Sequence, residues 1–354
     1  MSPDVSVVVC AYTQARWHDL CTALASLGRQ RLPPQQIVLV VDHNDSLLAR
    51  VRLAFPGVVA IANRHRRGLS GARNSGLEVA RAAVTAFLDD DARADEDWVE
   101  RLVVAYDDPA VAGVGGAIEP AWSDGRPRWF PPEFDWVVGC TYRGMPTRRA
   151  GVRNLIGTNM SFRTDLLRDL GGFVECIGRV GTLPVGCEET ELCIRVARLR
   201  PGARMVLEPA ARVRHRVPPE RACGRYFASR CWSEGRSKAL VARRAGARNA
   251  LATERSYVAA TLTRGVVRGL GDAVLRRDPA GLARALAIVV GLTITTAGYV
   301  TGTVGERVAR GFARLRGTAA GRAAPSDPPS EVPAAPLVQR AVEPTRRKVQ
   351  GWSP

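Results

Sequence analysis

The sequence predicts an α/β fold on a largely parallel sheet. Two observations carry this: short β-branched runs alternate with amphipathic stretches through the first ninety or so residues, and those runs are apolar almost throughout, as strands covered on both faces are. Residues 5–10, 36–41, 58–62 and 84–88 are the four buried strands expected. Residues 17–29, 47–55 and 70–83 are the helices between them, the last opened by the turn Gly68-Leu69-Ser70-Gly71. Open α/β sheets bind ligands at the carboxyl ends of their strands, so the site is expected there.

After residue 110 the pattern becomes mixed. A Gly-rich strand at 111–118 precedes a Trp/Pro-rich loop at 122–136, and a loop of that length is usually functional or mobile. A strand at 159–163, the segment Leu170-Gly171-Gly172-Phe173, a helix at 188–199 and a strand at 204–208 follow.

The 354 residues, 46% hydrophobic and 24% charged, allow two domains or one large domain with appendages and exclude a wholly disordered or collagen-like chain. The net charge of +17 comes almost entirely from arginine, since Lys238 and Lys348 are the only lysines. Eight cysteines without a C-x-x-C pair or a zinc spacing read as reduced thiols of a cytosolic protein. The first residues, MSPDVSVVVCAYTQ, lack a basic leader and enter a strand at once, unlike a signal peptide.

Residues 201–316 hold 21 arginines and Lys238 against seven acids, a local charge of +15. Within them, residues 285–305 carry no charge, and 21 helical residues would cover roughly 30 Å of hydrocarbon. With five Thr and four Gly this stretch would cross a bilayer, lie on it, or form a buried helix pair. Residues 221–238 alternate Arg with Tyr226, Phe227 and Trp232 on an expected helix, which suits an anionic membrane surface. The organisation expected is a catalytic domain at 1–218, a basic helical membrane-associated region at 219–316 and a disordered tail at 317–354. Net charge alone speaks for non-specific attraction to polyanions, and with no nucleic-acid motif a specific nucleic-acid partner is not expected.

The densest chemical signal is Phe87-Leu88-Asp89-Asp90-Asp91, three carboxylates directly after an apolar strand. Such a cluster repels itself unless a cation neutralises it or water solvates it, and hard divalent ions bridge carboxylates to diphosphates. A second acidic group, Glu188-Glu189-Thr190-Glu191, opens the helix at 188–199, where the helix dipole favours acids; Glu191 can pair with Arg195 one turn on.

These segments follow one another in a familiar order: Ser6-Val7-Val8-Val9-Cys10-Ala11-Tyr12-Thr13, then Ile37-Val38-Leu39-Val40-Val41-Asp42, then Gly68-Leu69-Ser70-Gly71-Ala72-Arg73-Asn74, then the Asp triplet. Over residues 5–218 the chain resembles the family 2 glycosyltransferases, nucleotide-sugar-dependent enzymes of GT-A fold with a Rossmann-like mixed sheet. The resemblance implies that Ala11 and Tyr12 line the nucleotide pocket, that Asp42 accepts a hydrogen bond from the base, and that Arg73 approaches the diphosphate. Asp89 and Asp90 would hold the ribose side and Asp91 a divalent metal, Mn²⁺ or Mg²⁺. His215 would complete the metal site or contact the diphosphate. His43-Asn44-Asp45 stands where the family usually has Gly-Ser after the aspartate, which bears on base preference. The second acid of the family's Glu-Asp pair is the catalytic base; here it falls on Glu189, with the longer side chain making Glu188 a competitor.

One base suits a single displacement that inverts the anomeric centre, because the attacking hydroxyl must lose its proton as the bond forms. Asn159 of Gly157-Thr158-Asn159-Met160 is expected on the acceptor side, where its amide offers donors and an acceptor to a sugar. Trp122, Trp129 and Trp136 would stack on sugar or lipid or pack in the core, with Trp129 the acceptor candidate. The expected partners are a nucleotide-diphospho-sugar donor, a saccharide or lipid-linked acceptor and a membrane surface, on the cytoplasmic side of the inner membrane.

Overall fold

A computed structural model of the chain describes residues 4–179, 186–245 and 256–320. Two compact units divide it, residues 1–307 and residues 308–354. Of the second, residues 308–320 are described and are helical; the tail expected from 317 lies, from residue 321, outside the described residues.

The first half alternates as the apolar runs dictate: β1 (Val5–Ala11), α1 (Trp17–Leu27), β2 (Gln36–Val41), α2 (Asp45–Ala54), β3 (Val59–Ala62), α3 (Leu69–Val79) and β4 (Val84–Asp89). After them come β5 (Ala92–Ala94), α4 (Trp98–Val103), β6 (Val111–Trp122), β7 (Ala150–Val152), β8 (Asn159–Arg163), α5 (Thr164–Asp169), α6 (Glu188–Leu199) and β9 (Arg204–Val217). The C-terminal helices are α7 (Gly224–Ala245), α8 (Thr263–Leu275), entered through a π-helical turn at Tyr257–Leu262, and α9 (Pro279–Ala320).

The strands join one sheet in the order β3-β2-β1-β4-β8-β6-β9-β5, with β7 also on β9. β3, β2, β1 and β4 are parallel neighbours, whereas β8 is antiparallel to both β4 and β6. The period of two along β1 divides the core. Val5, Val7 and Val9 face α1, α2 and α4 through Leu20, Leu24, Leu47 and Trp98, while Val8 faces α3, α5 and α6 through Leu77, Leu167 and Leu192.

Two expectations change here. The strand expected at 204–208 runs on to Val217, so His215 lies inside β9 and not beyond a strand. Residues Pro209, Ala210 and Ala211 enter as a register shift against Gly116/Ala117, after which the ladder resumes. The Trp/Pro-rich stretch is held by aromatic packing: Phe130, Phe134 and Trp129 stand 5.2–5.6 Å from the Phe227 ring of α7. Phe227, Cys231, Leu262 and Ile288 join the same apolar core as the sheet, so the C-terminal helices pack onto it.

Residues 279–304 of α9 are long and apolar enough to cross a membrane, with mean hydropathy 1.7 and 22% of the most apolar window buried. Leu282, Leu286 and Val289 of α9 and Val267, Leu270 and Val274 of α8 are exposed apolar side chains at helical spacing.

Candidate functional site

The ends of β1, β2 and β4 converge on the turn between β4 and β5, where Asp89, Asp90 and Asp91 sit. Asp42, at the end of β2, is buried; it accepts from Asn63 Nδ2 at 2.7 Å and from the Gly68 amide at 3.0 Å. Gly68 begins α3 with φ 128°, a conformation glycine tolerates and L side chains rarely adopt. His43 takes a left-handed φ of 52°, and Asn44 caps α2 by accepting from the Leu47 amide at 3.0 Å. His43 thus occupies a backbone conformation that favours glycine, and Asn44 does the capping that a Ser would do.

Asp91 is the most heavily compensated carboxylate of the triplet. His215 Nε2 lies 2.9 Å from its Oδ1, Arg221 donates to Oδ2 at 3.3 Å, and Arg16 stands 3.3 Å away. Burial opposes its charge, yet His215, Arg221 and Arg16 together hold it well below the usual carboxylate range. Asp90 accepts from Arg16 at 2.8 Å, and burial followed by the charge of Asp91 pushes it up. Asp89 accepts from Thr158 Oγ1 at 2.8 Å.

β9 presents His215 because it is antiparallel to β5 with Ala92 opposite His215, one residue after Asp91. Ligand atoms of Asp89, Asp91 and His215 all lie within 4.8 Å of one another. Two carboxylate oxygens and an imidazole suit a divalent ion of the Mn²⁺ or Mg²⁺ type, and the buried Asp90 Oδ2 has no hydrogen-bond partner among the described residues. A small cavity of about 80 Å³ gathers Ala11, Tyr12, Asp42, the Asp triplet, Arg16 and His215 on its wall, so the expected donor-side residues come together there, apart from Arg73.

A larger cavity of about 370 Å³ adjoins it, sharing Leu69, Asp89 and Arg179. The acids at the start of α6 divide on its wall. Glu188 is buried and accepts from Arg73 Nη1 at 2.8 Å. Arg73, 2% exposed, also donates to the Gly157 carbonyl at 3.0 Å and stands 3.7 Å from Asp89. It ties the two acidic groups together. Glu189 is half-buried, and burial, then the charge of Glu188, push its carboxyl up to about 8.

Two acceptor-side expectations are corrected. Asn159 is 0% exposed and its amide is fully engaged: Nδ2 donates to the carbonyls of Ala117 and Ala211 at 3.1 and 3.0 Å, and Oδ1 accepts from Trp98 Nε1 at 2.9 Å. It locks β6, β8, β9 and α4 together and cannot reach an acceptor. Trp129 packs against Phe130 and Phe227 away from the cavity, whose wall carries Trp136 instead. Sequence reasoning missed Arg16, Arg221 and Thr158, and the contribution of Arg230, Glu234 and Lys238 on α7 to the large cavity. The self-repulsion of the Asp triplet signalled that cations were needed without saying which arginines supply them.

The family model described as glycosyl transferase family 2 matches residues 6–171. The chain is 36% identical over 241 residues to a glucosyl-dolichyl phosphate glucuronosyltransferase of Haloferax volcanii, covering 67% of this chain and 77% of that protein. It is 26% identical over 242 residues to the succinoglycan biosynthesis protein ExoM of Rhizobium meliloti, covering 66% and 73% respectively. Among solved structures it is similar, at TM-score 0.53 and 18% identity, to a mannosyltransferase from Pyrobaculum calidifontis in complex with GDP-Man and Mn²⁺, over 83% of this chain and 87% of that one.

Proposed function

The chain belongs to glycosyl transferase family 2 and is a glycosyltransferase of GT-A fold, and on that premise we propose that it inverts the sugar it transfers from a nucleotide-diphospho-sugar to a hydroxyl of a lipid-linked glycan at the cytoplasmic membrane face. One observation carries this reading: Asp89 of the acidic cluster lines both cavities, and Glu189 lines the larger of them.

Glu189 serves as the base. Both glutamates line the large cavity, but Glu188 is buried with its Oε1 paired to Arg73 at 2.8 Å. A carboxylate with a raised pKa takes up the proton of an attacking hydroxyl more readily than an ordinary one. The presence of a base favours a hydroxyl acceptor over a phosphate oxygen, which is already anionic. Arg73 holds Glu188 and Asp89 in fixed relation, so that the base and the donor-side acids keep their spacing.

Asp89, Asp91 and His215 would hold the divalent metal, which when bound neutralises the departing diphosphate. Asp91 is kept ionised for that purpose by Arg16 and Arg221, with His215 Nε2 in hydrogen-bond contact at 2.9 Å. The relative at 36% identity, named for a dolichyl-phosphate-linked glucose, supports a lipid-linked acceptor. The exposed apolar side chains of α8 and α9 support a membrane surface as the place of encounter.

The test is thermal stabilisation by UDP-, GDP- and dTDP-sugars with Mn²⁺ or Mg²⁺ and with EDTA, on the wild type and on Asp91→Ala. Metal-dependent stabilisation by one nucleotide class, absent from D91A, is expected. Equal stabilisation in EDTA and in the variant would remove the metal-dependent reading.

A further inference from the structure

The lining of the large cavity is chemically of two halves: cations and carboxylates, among them Arg179, Arg230 and Lys238, and aromatic or apolar side chains, Phe134, Trp136, Tyr257, Leu292 and Tyr299. Arg230, Glu234 and Lys238 follow at intervals of four on α7 and so share one face of that helix. Glu234 is engaged by Lys238 at 3.4 Å and by the Cys187 thiol at 3.7 Å.

Arg230 is only 7% exposed, and its charge is disfavoured by burial and by the neighbouring charge of Arg179. Two guanidinium groups gathered at one cavity wall hold an anion better than either alone, and their planar donor forks match phosphate oxygens. The apolar half gives the anion a tail. Helix α9 turns Leu292 and Tyr299 into the cavity while Leu286 and Val289, one to three turns earlier, face outward. The wall of the cavity and the apolar outer surface are thus one helix.

Resting on the transferase reading above, we propose that Arg179 and Arg230 form a phosphate subsite in the large cavity, and that its ligand is the phosphate of a lipid-linked sugar whose hydrocarbon chain lies along Trp136, Tyr257 and Leu292 toward the outer face of α9. The phosphate fixes the acceptor on one side, so its sugar is offered to Glu189 on the same cavity wall.

Binding of three probes to the full chain tests this: farnesyl phosphate, farnesol and inorganic phosphate, followed by quenching of tryptophan fluorescence and by thermal shift. Wild type is expected to bind farnesyl phosphate at least tenfold more tightly than farnesol, with inorganic phosphate competing weakly. Arg230→Gln should bring farnesyl phosphate down to the farnesol level, and Arg230→Lys should keep part of the difference. Equal affinity of wild type for farnesyl phosphate and farnesol overturns the subsite whatever the variants do. Inorganic phosphate competing as well as farnesyl phosphate overturns the lipid assignment. R230Q with undiminished farnesyl phosphate binding overturns the role of Arg230. Metal-dependent donor binding, measured alongside in each protein, separates the two readings: if it is absent from wild type the transferase reading fails, and if it is intact in R230Q the variant is folded and only the subsite is in question.

Discussion

Replacing Glu188 by Gln should move the pH dependence of transfer without abolishing it. The Glu189 carboxyl is pushed up to about 8, first by burial and then by the charge of Glu188. A raised carboxyl is protonated on the acid side, so the base form fills as pH rises, and kcat/KM, which reports the free enzyme, should climb through about pH 8 and level off above it. E188Q removes the second of these causes. A like charge in contact is worth about one pH unit, equivalent to about 1.4 kcal/mol. Arg73, no longer neutralised at 2.8 Å, pulls Glu189 in the same direction. The acidic limb should therefore fall by about one pH unit or more, while E189Q should lose about 10²–10⁴ in rate and show no such limb. Initial rates of nucleoside diphosphate release in the presence of acceptor, taken across the alkaline and neutral range, measure both. E188Q with an unmoved limb, or E189Q with the wild-type profile, would refute the assignment of the base.

Asn159→Ala should destabilise by about 3–5 kcal/mol in urea denaturation, because it strands the buried Trp98 N–H and the Ala117 and Ala211 carbonyls; unchanged stability would show that the amide is not a structural lock. His65 bridges Glu78 and Glu175 at 2.7 Å each, which raises its pKa against the cost of burial. Its contribution is full below the unfolded value of about 6.5 and is lost as pH rises through the folded one, so His65→Ala should cost on the order of 1 kcal/mol at pH 6 and less at pH 9. Leu282→Asp combined with Leu286→Asp on the exposed face of α9 should lower sedimentation with anionic vesicles by at least tenfold, since each side chain is worth about 1.5–3 kcal/mol when buried; undiminished sedimentation would mean that this face does not meet the bilayer.

The elements legible in the sequence are those whose apolar runs end abruptly. β2, β8 and α6 have the ends their residues suggest, because both faces of β2, one face of β8 and one stripe of α6 are apolar up to a polar stop. β9 was hidden by Pro209 and the two alanines after it, although its continuation alternates visibly: Arg212, Arg214 and Arg216 are exposed while Val213, His215 and Val217 are buried. The Asp triplet and the paired glutamates could be found locally. Their cations could not, since Arg16 and Arg221 reach Asp91 from 75 and 130 positions away among 49 arginines. Asn159 misled because its type suits a sugar. What commits it to the core is Gly116, where a Cβ would stand 1.8 Å from the Ala211 carbonyl and 2.4 Å from Asn159 Nδ2.

The register shift in β9 also governs where this chain can tolerate a change of length. Beyond the shift, side-chain direction is a matter of parity: even positions point out and odd positions point in. One residue inserted or deleted between Arg212 and His215 would turn an arginine toward Asp91 and send the imidazole into solvent. Length variation is therefore tolerable at Pro209 to Ala211, where the ladder is already interrupted, and lethal to the acidic cluster three residues later.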